Sequence, residues 1–238
     1  MDEKNEITLL FLPGAGGTAS KWRRVRDLMN GYRCVFADLP GHGLDANPVL
    51  HSIKDYFAYF KPQITGQTIV IGHSMGGLIG IELAVNHPNV LALVLAASHY
   101  VLPVDSKLFD KLETGVYPDG LFYASYSKEV DPDLLEEERR ELNHVSLETT
   151  IIDYRCCNEY RYGSDSLSHL RKPILAIYGE DDRMLLAAAR DDLKALVPHA
   201  SIEVVSKAGH YVMLEGTEHF VKALQRFVRQ VSEKEVSR

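Results

Sequence analysis

With 238 residues, 45% apolar and 25% charged side chains and a mean hydropathy of −0.14, the chain can bury a full core, as one α/β domain with an insertion or as two small domains. A net charge of −7 without a basic cluster argues against nucleic acid as a partner. No apolar run reaches the ~18 residues of a membrane span and no leader-like stretch precedes the first strand, so no membrane partner and a cytoplasmic location are expected.

After a polar start, Ile7 to Leu12 is too short for a helix, lacks alternation and ends at Pro13-Gly14, which reads as a strand buried on both faces. Trp22, Val25, Leu28 and Met29 repeat at helical spacing up to Gly31. Arg33 to Ala37 is a second strand, followed by the loop Asp38-Leu39-Pro40-Gly41-His42-Gly43. Ile53, Phe57 and Phe60 mark a helix. Thr68 to Ile71 is a third strand that runs into Gly72-His73-Ser74-Met75-Gly76-Gly77 and then a stretch apolar on nearly all sides up to His87-Pro88. Val90 to Ala97, Ile174 to Tyr178 and Ile202 to Val205 complete six strands. Helical patterns at Met184 to Leu196 and at Phe220, Leu224, Phe227, Val228 and Val231 accompany them.

Strands alternating with helices predict an α/β fold, a doubly wound, mostly parallel sheet of about six strands. Residues 99–170 break the alternation and read as a helical insertion between the core segments 1–98 and 171–238. The charged run Asp131 to Glu141 within it reads as a solvated helix face. Cys34, Cys156 and Cys157 form neither a CxxC pair nor a ladder of cysteines, so reduced thiols and no metal site are expected.

Two glycine-rich turns compete for the chemistry. Gly14-Ala15-Gly16-Gly17-Thr18-Ala19 fits G-x-G-x-x-A between a strand and a helix, with Asp38 at about the 20-residue offset of a dinucleotide fingerprint. That reading leaves Ser74 and two later strand ends unexplained. Glycines two before and two after Ser74 allow an abrupt strand-to-helix turn with the hydroxyl exposed above the sheet and the Met75 amide at a helix start. In a doubly wound sheet, sites form beyond the carboxyl ends of the strands. Those ends present Ser74, then Gly179-Glu180-Asp181-Asp182, then Lys207-Ala208-Gly209-His210: a hydroxyl, a carboxylate cluster and an imidazole in the order Ser, Asp, His. A serine hydroxyl becomes nucleophilic when an imidazole takes its proton, and a carboxylate fixes the imidazole tautomer. His42 and His73 are open to purely structural roles.

Over essentially its whole length the chain resembles the α/β-hydrolase superfamily. Leu12 to Gly17 with Trp22 is similar to its first glycine-rich loop, with Pro13 in place of the usual histidine. Asp38 to Gly43 is similar to its D-x-P-G-H-G loop, Gly72 to Gly77 to its nucleophile elbow, and Gly179 to Asp182 and Ala208 to His210 to its acid and base loops. The resemblance implies a carboxylesterase-like serine hydrolase with the triad Ser74, Asp182 and His210, Asp181 being the alternative acid one residue away. It further implies an oxyanion hole from the Ala15 and Met75 amides, a cap formed by residues 99–170 like those of small bacterial esterases and lactonases, and a sheet lacking the two leading strands common in the family. The expected partner is a small, largely apolar acyl substrate (ester, thioester or lactone), with no metal or cofactor. The substrate-binding residues stay open among Tyr100, Tyr117, Tyr123, Tyr126, Tyr154 and their surroundings, as does the oligomeric state. The same scaffold hosts lyases, C–C bond hydrolases, acyltransferases and non-catalytic receptors. A menaquinone-pathway-type lyase is expected to carry an arginine where Leu78 stands, and a haloalkane dehalogenase a carboxylate in place of Ser74.

Overall fold

The computed structural model describes residues 7–236; the expectation of missing leading strands rests on residues 1–6 and lies outside the described residues. Six strands, β1 (Thr8–Leu12), β2 (Arg33–Phe36), β3 (Thr68–His73), β4 (Val90–Ala96), β5 (Ile174–Gly179) and β6 (Ser201–Val205), form one sheet in the order β2-β1-β3-β4-β5-β6. Every pairing is parallel. β3 is buried throughout, whereas β2 and β6 at the edges are only partly covered, which is why the central strands read as unbroken apolar runs.

Helices cover both faces. On one lie α1 (Arg23–Leu28), the short α10 (Val212–Glu215) and α11 (Thr217–Val236), whose stripe of Phe220, Leu224, Phe227, Val228 and Val231 packs with Trp22, Val25 and the sheet residues Leu9, Phe11, Ile69 and Val94. On the other lie α2 (Ile53–Phe60), α3 (Met75–Asn86) and α9 (Ala189–Leu196). α3 is apolar nearly all round because the sheet lies beneath it and α2 and α8 (Gly163–Ser168) lie against it. Helix α9 starts later than the predicted Met184. The Asp182 carboxylate takes the N–H groups of Met184 (2.8 Å) and Leu185 (3.3 Å), holding that stretch in a turn.

Between β4 and β5 come α4 (Ser106–Leu112), α5 (Asp119–Ala124), α6 (Pro132–Glu141), α7 (Leu147–Glu159) and α8. The charged run is not wholly a solvated face. Glu138 on α6 is fully buried and pairs with Lys21 and with Arg23 (2.7 Å), so α6 is fastened to the connection between β1 and α1. Burial alone would push its carboxyl up, but the two cations outweigh this and hold it below the usual range. Among the described residues no helix is long and apolar enough to cross a membrane.

Candidate active site

Ser74 stands between the end of β3 and the first residue of α3 at φ 48, ψ −118, a backbone region that a non-glycine residue occupies only where its surroundings enforce it. The enforcement is visible. A Cβ on Gly76 would lie 2.5 Å from the carbonyl oxygens of Leu12 and Pro13, so only glycine lets α3 start this close to the end of β1. The Ser74 N–H donates to Ala96 O (3.1 Å), and its carbonyl accepts from Ser98 Oγ (2.7 Å) at the end of β4. Both backbone groups of Ser74 are therefore anchored at the end of β4, while Gly76 sits against the end of β1.

Asp182 follows β5 and His210 follows β6, and the structure brings them together: His210 Nδ1 lies 2.9 Å from Asp182 Oδ2. Asp181, the alternative acid, is exposed and makes no contact with His210 among the described residues. Burial opposes ionisation of Asp182, but the charge and hydrogen bond of His210 and the N–H groups of Met184 and Leu185 outweigh it, holding the carboxyl below its usual range. Ser74 and His210 line one cavity of about 60 Å³, walled by Val101, Leu102, Val104, Tyr154, Cys157 and Leu185.

Several side chains hold the imidazole in place, and the sequence reading passed over most of them. His73, directly before the serine, is buried, and burial followed by the charge of His210 depresses its pKa well below the ordinary value. It is thus neutral and donates from Nε2 to the His210 carbonyl (3.1 Å). Glu215 accepts the Gly209 N–H (2.8 Å) with one oxygen and that of Ser127 (2.8 Å) with the other. The His210 N–H donates to Ser125 O (2.9 Å), and Arg183 donates to Tyr123 O (2.6 Å) and Tyr126 O (2.7 Å). The segment following α5 is thereby tied to both the acid loop and the base loop.

The glycine-rich loop after β1 approaches the serine closely, since a Cβ on Gly14 would lie 2.9 Å from Ser74 Cβ. Its Gly17 N–H turns back onto Gly14 O (3.0 Å) and its Gly16 N–H goes to Asp153 (2.8 Å). The N–H groups of Ala15 and Met75, expected to face an oxyanion, take no partner among the described residues. Asp38, which a dinucleotide fingerprint would give to a ribose, is used internally: its oxygens accept the N–H groups of Ala19 (2.6 Å) and Leu44 (2.9 Å).

Of the five tyrosines singled out in the sequence, Tyr154 lines the serine cavity. Tyr117, 3.4 Å from it hydroxyl to hydroxyl, lines a neighbouring cavity of about 540 Å³ shared with Ala15, Gly16, Lys21, Asn143 and Tyr211. Tyr126 packs inside against Tyr211, and Tyr123 is half exposed. A groove of about 820 Å³ between α4 and α7 contains none of the expected site residues. Asp153 was legible in principle. Thr149, Asp153 and Cys156 form one stripe of α7, and a carboxylate on an otherwise buried stripe requires partners.

Residues 9–223 match the alpha/beta hydrolase family model. The chain is 28% identical over 92% of its length to the dihydrolipoyllysine-residue acetyltransferase component of the acetoin cleaving system of Cupriavidus necator, and spans 63% of that protein. It is 25% identical to the pimeloyl-[acyl-carrier protein] methyl ester esterase of Salmonella paratyphi A, with 91% of each chain covered. Among solved structures, a lipase-esterase related protein from Clostridium acetobutylicum superposes with a TM-score of 0.85 at 21% identity, over 95% of this chain and 96% of the other.

Proposed function

The chain belongs to the alpha/beta hydrolase family and is a hydrolase, and from that premise we propose that it cleaves an ester, thioester or lactone of a small, largely apolar acyl substrate at Ser74. The observation that carries this reading is the His210 Nδ1 to Asp182 contact of 2.9 Å beside a cavity shared by His210 and a serine at φ 48. The apolar walls of that cavity, Val101, Leu102, Val104 and Leu185 among them, support the acyl preference. The segment 99–170 is then the cap over the site. A cytoplasmic location is in keeping with three free thiols.

In this mechanism Ser74 Oγ attacks the carbonyl carbon while His210 Nε2 takes its proton, and Asp182 stabilises the imidazolium. The carbonyl π electrons move onto oxygen, where the Ala15 and Met75 N–H groups contribute about 3–4 kcal/mol each to transition-state stabilisation. Collapse expels the alcohol or thiol, which leaves with the proton from His210. Water, deprotonated by His210, then attacks the acyl-serine, and the carboxylic acid departs as Ser74 regains its proton. The test is a panel of p-nitrophenyl esters of increasing chain length and of lactones, with a fluorophosphonate label as an independent reporter. Wild type should hydrolyse the short esters fastest and take the label at Ser74. Equal labelling of Ser74→Ala, or equal turnover by it, overturns the assignment.

A further inference from the structure

The inserted segment delivers a carboxylate to the glycine-rich loop beside the serine. Asp153, in the middle of α7, is fully buried. Its Oδ2 accepts the Gly16 N–H at 2.8 Å and faces His42 Nε2 at 2.7 Å, while its Oδ1 accepts the Tyr56 hydroxyl at 3.0 Å. Three separate parts of the core therefore converge on one side chain of the insertion: the loop after β1, the loop after β2, and α2.

The hydrogen-bond inventory sets the charge on His42. Its Nδ1 faces the Pro40 carbonyl at 3.0 Å and its Nε2 faces the Asp153 carboxylate, and both are acceptors. A neutral imidazole has one N–H and would leave a lone pair against an acceptor, so the ring is an imidazolium. Burial opposes that charge, but the hydrogen bond and charge of Asp153, with the Pro40 carbonyl and nearby Asp38, outweigh it and raise the pKa. Asp38, Asp45 and Asp153 are the charged groups that act on the ring, and the Tyr56 hydroxyl bonds to Asp153 beside it. The result is a fixed ion pair, and a carboxylate held this way accepts the Gly16 N–H more strongly than a neutral oxygen would.

Gly16 adopts φ 63, and a Cβ there would press on the Thr150 side chain of α7 at 2.8 Å, so the loop lies directly against the insertion. Fixing the Gly16 N–H fixes the peptide after Ala15. The preceding peptide carries the Ala15 N–H, and Gly14 before it abuts Ser74. We propose that Asp153, charged and oriented by His42, is a positioning residue for the oxyanion hole, so that docking of the insertion and alignment of the Ala15 N–H are one event. This rests on the ester-hydrolase reading. No atom of Asp153 is asked to touch substrate.

The test measures kcat per titrated active site for Asp153→Asn, Asp153→Ala and His42→Gln on an activated ester. In parallel it measures affinity for a trifluoromethyl ketone, whose adduct carries the oxyanion, and for the matching unactivated methyl ketone. Loss of a whole oxyanion donor costs about 10²–10³-fold, so misalignment is expected to cost about 10-fold in Asp153→Asn, whose neutral amide still accepts from Gly16, and up to ~10²-fold in Asp153→Ala. KM should stay within about threefold, and trifluoromethyl ketone affinity should fall in step with kcat while methyl ketone affinity holds. A merely structural role lowers the fraction of active sites and the melting temperature and leaves kcat per site alone. Should Asp153→Asn fail to fold, His42→Gln keeps the carboxylate and is expected to lose a few-fold in kcat with the same split. Full kcat per site in the folded variants overturns the proposal while leaving the ester-hydrolase reading intact. A wild type whose ester turnover is unchanged by Ser74→Ala removes that reading itself.

Discussion

Two buried aspartate–histidine pairs lie near the serine, and their difference shows how one pairing serves two ends. Asp182 and His210 meet at 2.9 Å, Asp153 and His42 at 2.7 Å. The far nitrogen of His210 has no protein partner among the described residues, and the ring opens into the cavity it shares with Ser74. The far nitrogen of His42 points at the Pro40 carbonyl. One imidazole thus presents a nitrogen to the serine cavity, and the other has both nitrogens held by acceptors. In the proposed mechanism, what separates the base from a structural ion pair is the atom facing the second nitrogen.

The most drastic way to break the first pair is to remove what it activates. In the proposed mechanism Ser74→Ala should lower kcat by ~10⁴–10⁶-fold with the melting temperature little changed, since alanine meets the same positive φ with the same Cβ as serine. Steady-state kinetics with thermal denaturation check this. Asp182→Asn should cost about 10⁴-fold by presenting the wrong tautomer partner to His210, whereas Asp181→Asn should stay within about twofold. Equal losses in the two would dissolve the contrast between adjacent aspartates.

The second pair should respond in stability. Asp153→Ala leaves a buried imidazolium uncompensated together with the Gly16 N–H and the Tyr56 hydroxyl, and is expected to cost about 3–5 kcal/mol in urea denaturation. Tyr56→Phe removes one hydrogen bond to the same carboxylate and should cost about 1 kcal/mol.

pH sharpens the comparison because the two pairs shift in opposite directions. The Asp182 carboxyl lies below its ordinary value when folded, so its stabilisation is present above the unfolded pKa of about 3.9 and is lost as pH falls through the folded value. The His42 pKa is raised when folded, so its stabilisation is complete below about pH 6.5 and is lost as pH rises through the folded value. The difference in melting temperature between wild type and His42→Gln should therefore shrink toward alkaline pH, and that between wild type and Asp182→Asn toward acid. A constant difference in either series contradicts the corresponding pair.

By itself the sequence determined the six-stranded parallel sheet, the turn at Ser74, and the strand ends that carry Asp182 and His210. Each of these is written locally, in apolar runs of strand length and in glycines around a single serine, and topology does the rest by bringing all strand ends to one edge. Tertiary structure decided what depends on partners far along the chain. It chose Asp182 over Asp181, because one residue of register decides which carboxylate reaches the imidazole. It turned Glu138 inward from a run whose neighbours are solvated. And it set Asp153 against Gly16, 137 residues away. A buried carboxylate looks like any other acid in sequence until its hydrogen-bond donors are known, and these come from three segments that only the folded chain brings together.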